Sequence, residues 1–458
     1  MSAVNHPGFS SITQEYGLIT KGLRSTSSAG SPFSRTTVRN KFEEKKVAET
    51  GNIEVNLMNA SPLSCFCNMK NISYFEHIMK AFPRQYFDSL VQQFQADKYS
   101  KGFTCWHQLV FMLYAQLAAV PSLRSLEASF NFHTSHHPRL GCPPVRRSTL
   151  SDANARRSCD IFFQVATHLM SFVSRRIRKN YTHALYLIDS TSFTLKGRYF
   201  DPWTRLSRNG FTQGIKLHLL YNANVSSPVD CSFTHANVND LTEGMKLNLE
   251  EYATYVFDKG YCDYNWWASF ESKNARFVTR FKDNVSLSVI ESRIIPDDDK
   301  AVILSDEMVK FKNTHPRGGK RNWYVRPLRR VTVAREGNPV PLIFATNDME
   351  SPAIEIAMLY KSRWEIELFF KWIKQHLKIK QYLGRSYNAV RIQILTSLIA
   401  YLLLSIYRQK SQPQKSLWIL LSEVRGALFH PVSFDGGLAR ERRRKTNLLI
   451  DKQLVFHF

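Results

Sequence analysis

Beyond residue 180 the chain turns into short β-rich runs whose order leaves few folds open. ALYLIDSTSFTL, GIKLHLLYNA and VDCSFTHA come first, then a helical stretch near Leu241 to Tyr252, then ATYVFDKGY. A second helix (YNWWASFESKN) and strand (RFVTRFKD) follow, and the whole predicts a mixed sheet with helices on its faces, an α/β architecture. Asp189 ends the apolar run ALYLID and Asp258 ends ATYVFD, and each is followed by small or polar residues where a buried strand leaves its sheet.

Around this core the pattern differs. Residues 1–68 are rich in Ser, Thr, Gly and Asn (LRSTSSAGSPFSRTTVRN), lack apolar periodicity and are expected to be a disordered leader, with Met69 as a candidate natural start. From Tyr74 to Phe130 apolar residues recur at helical spacing, interrupted at Pro83, Gly102 and Pro121, so residues 69–147 read as a small helical domain. His133, His136 and His137 fall in a basic, Pro-rich connection that reads as a solvated loop rather than a metal site. Ser148, Thr149 and Ser151 offer N-caps to a helix running through Arg175. The core is expected over 148–284, a β-rich insertion over 285–345 (NWYVRPLRRVTVAREG, VPLIFATN), the continued core over 346–390, and helices with a basic tail over 391–458.

Charge narrows the partner. Lys and Arg number 62 against 38 Asp and Glu, a formal charge of +24, which points to a polyanion, with nucleic acid ahead of a membrane surface or the ribosome. The 458 residues, 43% of them hydrophobic, suffice for two or three packed units. Seven cysteines at irregular positions form no disulfide framework, and Cys65, Cys67 and Cys262 lack the partners of a zinc site, so a reducing cytoplasm is the expected location. The run ILTSLIAYLLLSIY from Ile394 to Tyr407 is shorter than the roughly 18–20 residues of a membrane span and reads as a buried helix.

The chemistry centres on SPAIEIAMLYKSRWEIELFFKWIKQHLKI. Read as one helix, it brings Tyr360, Arg363, Glu367 and Lys374 into an arc of roughly 60°, beside an apolar arc of Leu359, Ile366, Phe369, Phe370, Ile373 and Leu377. Alone, such a face is an ordinary solvated one with helical ion pairs. Asp189 and Asp258 at the exits of neighbouring strands change that reading, because with Glu367 they converge three carboxylates suited to Mg²⁺, or Mn²⁺ in its place. Two ions about 3.5–4 Å apart activate an attacking oxygen and stabilise a leaving one in phosphodiester displacement.

These residues resemble those of the DDE transposases with a ribonuclease-H-like core, within them the insertion-sequence-four family. The resemblance spans roughly Tyr74 to Arg425. Its most specific element is Tyr-x2-Arg-x3-Glu-x6-Lys, matched by Tyr360, Arg363, Glu367 and Lys374, while LIDSTSFTL and VFDKGY resemble the family's two aspartate motifs. The resemblance implies Asp189, Asp258 and Glu367 as catalytic ligands of two Mg²⁺ ions, with Tyr360, Arg363 and Lys374 on DNA near the scissile bond. It further implies a homodimer acting on double-stranded DNA, both transposon ends and target, in the cytoplasm and on the nucleoid, with no membrane. Trp323 is a candidate for stacking on a flipped base. The resemblance also implies that the helical domain, residues 69–147, binds DNA and recognises the terminal inverted repeats, with Arg124, Arg146, Arg147, Arg156 and Arg157 as candidate phosphate contacts, and the cluster Arg440 to Lys445 is either a backbone contact or a solvated tail. The rival readings are a nuclease of the same fold that never joins DNA and an inactive protein that only binds transposon ends.

Overall fold

The computed structural model describes residues 72–432 apart from 179–182, 208, 209, 211, 314–320, 336, 378 and 380, with no side-chain account for 173–178. The leader, Cys65, Cys67 and the Arg440 to Lys445 cluster therefore lie outside the described residues. One compact unit comprises Ile72–Ala334 and Val340–Phe458. The other, Met1–Asn71 with Arg335–Pro339, is almost wholly outside the described residues.

Among the described residues seven α-helices precede the sheet: α1 (Tyr74–Met79), α2 (Arg84–Gln93), α3 (Cys105–Leu117), α4 (Leu123–Phe132), α5 (His137–Leu140), α6 (Arg147–Arg156) and α7 (Asp160–Arg178). Their starts are written in the sequence. Ser73 and Glu76 form a capping box at α1, and Thr104 and His107 form the equivalent at α3. The single helix expected from Ser148 to Arg175 is two, because Arg157 leaves helical backbone at ψ 140° and turns its guanidinium toward the side-chain oxygen of Gln108 and the carbonyl of Phe103. Ser158 accepts from the Asp160 N–H at the start of α7, whereas α6 begins at Arg146 with no side-chain cap. The histidine connection is not a solvated loop. His137 is buried and stacked on Phe130 at 4.8 Å, and His136 lies 2.9 Å from the Glu76 carboxylate.

The strands are β1 (Leu185–Thr194), β2 (Arg205–Leu206), β3 (Gln213–Asn222), β4 (Ser227–His235), β5 (Thr254–Phe257), β6 (Arg276–Arg280), β7 (Leu287–Ser292), β8 (Ile303–Phe311), β9 (Leu328–Arg335) and β10 (Asn338–Thr346). They form one sheet in the order β2-β3-β1-β5-β6-β10-β9-β8-β7, with β4 also on β3. Within it, β4, β3 and β1 are antiparallel neighbours, while β1, β5 and β6 are parallel. That is the ribonuclease-H-like arrangement of three antiparallel strands beside two parallel ones. The strands of the 285–345 block make no sheet of their own, because β10 pairs antiparallel with β6 and carries the ladder onward. Between β4 and β5, α8 (Asp240–Gly244) is shorter than the stretch read from Leu241 to Tyr252. It stops at Gly244, against which the Tyr261 ring packs within 3.0 Å of where a Cβ would stand.

Each face of the sheet is covered. Tyr186, Ile188, Tyr255 and Phe257 point toward α9 (Tyr264–Ser272) and its Trp267 and Phe270. Leu187, Val256 and Val278 alternate to the other face, in the core shared with α10 (Ala353–Ser362), α11 (Trp364–His376) and α12 (Tyr387–Ser411). α12 is long and apolar enough to cross a membrane, yet 89% of its most apolar window is buried inside the protein. It runs past α7, α3 and α6 and meets the last helix, α13 (Leu417–Gly426). Its buried Thr396 and Ser397 hydroxyls donate to carbonyls one turn back, so they cost the core nothing unpaired.

Candidate active site

Asp189 and Asp258 owe their nearness to strand register. Ile188 of β1 pairs with Phe257 of β5, so each aspartate stands one residue past a matched position on adjacent parallel strands. Such strands run about 4.8 Å apart. By alternation both side chains turn with Leu187 and Val256 toward the face covered by α10 and α11.

The helix expected to carry all four basic, phenolic and acidic groups breaks at Arg363, which ends α10 and begins α11. The Arg363 N–H donates to the Tyr360 carbonyl at 3.2 Å, and the Ile366 N–H to that of Arg363 at 3.3 Å, a local tightening to three-residue spacing. Of the apolar seat, Ile366, Phe369, Phe370, Ile373 and Leu377 are buried and Leu359 is half-buried against the core. Across the break Tyr360 and Arg363 still lie beside the aspartates. The Tyr360 hydroxyl donates to Asp258 at 3.3 Å, and Arg363 forms an ion pair with Glu367. Farther along α11, Lys374 donates to the Thr191 hydroxyl and to the Ser192 carbonyl at 3.2 Å, which lays the helix along β1.

The charges of this cluster act on one another. Burial pushes the Asp189 carboxyl up to about 7, against the Ser190 N–H bond and the Arg363 guanidinium, and with the added repulsion of Glu367 and Asp258. Burial also pushes Asp258 upward, but the Lys259 N–H and the Arg280 guanidinium, 3.0 Å away, outweigh it and hold this carboxyl below its ordinary value. Burial carries the Tyr360 phenol up to about 12, so it serves as a donor. Among the described residues no three His, Cys, Asp or Glu side chains stand together as a group that holds a metal ion. Arg363 and Arg280 instead pair with Glu367 and Asp258.

Arg280 was missed by sequence reasoning although it closes RFVTR, the strand running parallel beside β5, and so leaves the sheet at the same edge as the two aspartates. Ser190, next to Asp189, donates to Asp240 of α8 at 2.7 Å, and Lys216 of β3 reaches the same carboxylate oxygen at 3.0 Å. Trp323 lies elsewhere in the contact pattern. It is 60% exposed, under the Arg321 guanidinium at 4.2 Å, and its backbone N–H donates to the Asn265 side-chain oxygen of α9. Arg124, Arg146, Arg147 and Arg156 are exposed, whereas Arg157 is taken up by Gln108, Phe103 and Asp97.

Residues 180–403 match the transposase DDE domain family, and residues 70–142 match a domain of unknown function, DUF4372. A putative transposase of Sinorhizobium fredii, y4zB, is 42% identical over 260 residues, which cover 56% of this chain and 70% of that protein. The chain belongs to the DDE transposases. Similar to this transposase also are a probable transposase for insertion sequence element IS5377 of Geobacillus stearothermophilus, 29% identical over 322 residues (69% and 81% of the two chains), and a putative transposase for insertion sequence element IS4SA of Synechocystis, 25% identical over 350 residues (73% and 88%). A piggyBac transposase, solved by cryo-electron microscopy as a synaptic complex with hairpin DNA, superposes on the transposase with a TM-score of 0.45 at 13% identity, over 81% of this chain and 82% of that one.

Proposed function

We propose that this transposase cuts DNA at the terminal inverted repeats of an insertion sequence and joins the freed 3′ ends to target DNA by phosphodiester transfer. In this reading a homodimer holds the ends, and Asp189, Asp258 and Glu367 hold two Mg²⁺ ions, or Mn²⁺ in their place. The observation that carries it is the matched register of Asp189 and Asp258, on the sheet face along which the helix of Glu367 runs. The donor set suits a hard dication, since every donor is a carboxylate oxygen. Asp189 fits that role in particular, as a half-buried carboxyl pushed up to about 7 for which added positive charge nearby is favourable. Ions bound there would supply Lewis acidity to the scissile phosphate and to the attacking oxygen.

The protein's own groups have separate tasks. Tyr360 and Arg280 orient Asp258 through the two hydrogen bonds they give it, and Arg280 keeps it ionised. Arg363, once a phosphate competes with Glu367 for it, can fork two bonds onto that phosphate, while Lys374 supplies a point charge beside Thr191 of β1. Trp323, exposed and flat beneath Arg321, is available to stack on an extruded base.

The reading is tested with DNA carrying the regions that flank the coding sequence. Asp189→Asn, Asp258→Asn and Glu367→Gln each abolish Mg²⁺-dependent nicking while gel-shift binding of the ends stays largely intact. Cleavage at the wild-type rate by any of the three overturns the assignment. A pre-cut end offered with a plasmid yields a covalent joint product, and hydrolysis without that product assigns a nuclease instead.

A further inference from the structure

The helical domain carries a cleft of 570 Å³, remote in sequence from the acids, between the turn after α2 and the junction of α6 with α7. Its lining includes Phe94, Lys98, Tyr99, Lys101, Asp152 and Arg156. Tyr99 is 88% exposed, although a tyrosine left in water forfeits the burial its ring normally gains. It also holds φ at 64°, a left-handed conformation unfavourable for a bulky residue, and Gln95 in the same turn holds 48°. A strained backbone that presents an aromatic ring to solvent does nothing for the fold's stability, which directs attention to a ligand.

The surrounding charge identifies the ligand's chemistry. The Lys98 ammonium sits 5.4 Å from the centre of the Tyr99 ring, and Lys98, Lys101 and Arg156 are all exposed. Arg157, at the back of the cleft, is held by Gln108 and the Phe103 carbonyl and shapes the wall. Asp152 is the sole carboxylate lining the cleft among the described residues, against the three exposed cations Lys98, Lys101 and Arg156, while Arg157 is paired with Asp97. A concave basic surface with one exposed ring matches an alternation of phosphates and flat faces along a polynucleotide strand.

We infer that this cleft is a DNA-binding site of the helical domain, taking the phosphates of one strand on Lys98, Lys101 and Arg156 and a sugar or base face on Tyr99. The inference rests on the reading that the chain acts on DNA. It gives the domain of unknown function a contact surface separate from the acid cluster.

The test uses the full-length protein and fluorescence anisotropy with a short single-stranded oligonucleotide and a duplex of the same sequence, each over a salt series. Lys98→Glu with Lys101→Glu and Arg156→Glu weakens binding at low salt by at least about ten-fold and flattens the slope of log affinity on log salt by about two to three, the share of three phosphate contacts. Tyr99→Ala weakens binding by about ten-fold with the salt slope unchanged, and Tyr99→Phe keeps it. Tyr99→Gly, which suits the left-handed turn, leaves thermal stability equal or higher while binding falls, so loss of fold is not the cause. Whether the single strand or the duplex loses more identifies the form of DNA held. Unchanged affinity in both the charge-reversed variant and Tyr99→Ala overturns the site, as does a loss confined to phosphatidylserine vesicles. If the wild-type protein binds neither oligonucleotide, the DNA-acting reading itself falls. If it binds and nicks DNA while the variants match it, the cleft alone is refuted.

Discussion

Arg329→Met tests what fastens the outer half of the sheet to the helix that bears Tyr360. Arg329 is 1% exposed and donates Nε and Nη2 to the two carboxylate oxygens of Asp306, at 2.8 and 2.7 Å, and Nη1 to the carbonyls of Asp348 and Ser351. Residues 348–351 lead into α10, and their turn is closed by Glu350 and Ser351 N–H groups donating to Asp348. One guanidinium therefore links β9, β8 and the entry to α10. Methionine fills much of the same space but leaves the buried Asp306 carboxylate without its cation, and removing one partner of a buried pair costs about 3–5 kcal/mol. We expect a loss of about 4 kcal/mol in urea unfolding followed by tryptophan fluorescence, read as a lower midpoint at constant slope. Adding Asp306→Leu removes the stranded charge and restores most of that stability. A single-variant loss under about 1 kcal/mol, or a double variant no more stable than the single, refutes the reasoning.

Two other perturbations bear on the frame around the acids. Burial pushes the Asp348 carboxyl up, but the Ser351 hydroxyl at 2.6 Å and the N–H groups of Ser351 and Glu350 outweigh it and hold the group below its ordinary value. Its stabilising share is therefore complete above the unfolded value near 3.9 and is lost as pH falls through the lower folded value. The gap in melting temperature between wild type and Asp348→Asn is accordingly widest at neutral pH and closes in acid; a gap that widens in acid contradicts this. Gly214→Ala sets a Cβ 2.0 Å from the Phe193 carbonyl oxygen, at a φ of 148°, in the β3 ladder that flanks β1. It should lower stability by more than about 2 kcal/mol in the same urea assay, and a neutral outcome shows that the ladder shifts freely.

Much of the core was legible because its signals are local. An apolar run ending in an acid marks a strand exit whatever its neighbours do, and two such runs in the order strand, strand, strand, helix, strand left little choice of sheet. What escaped depends on partners distant in sequence. The alternation in the 285–345 segment shows strands, but nothing in it reveals that β10 pairs with β6, so where those strands join the sheet was not legible. The break at Arg363 was hidden because one tightened turn barely disturbs helical spacing. Arg280 was overlooked because basic residues at strand ends are common, and only the parallel pairing of β5 with β6 puts this one beside Asp258. The histidine connection misled for the opposite reason, since its composition is that of a loop while Phe130 and Glu76 draw it inward.

Chain order gives the site a built-in delay. Asp189 and Asp258 emerge from neighbouring central strands, but Glu367 arrives only after five further strands and α10 have been synthesised. A product halted by a frameshift, a nonsense codon or a protease between Asp258 and Glu367 carries the aspartate-bearing segments and the upstream helices, the residues of the cleft included, without the third carboxylate. On the roles proposed for the three acids and for the cleft, such fragments of the transposase would lack the means to cut while keeping a surface with which to occupy DNA, and premature termination would turn the enzyme into a competitor of itself.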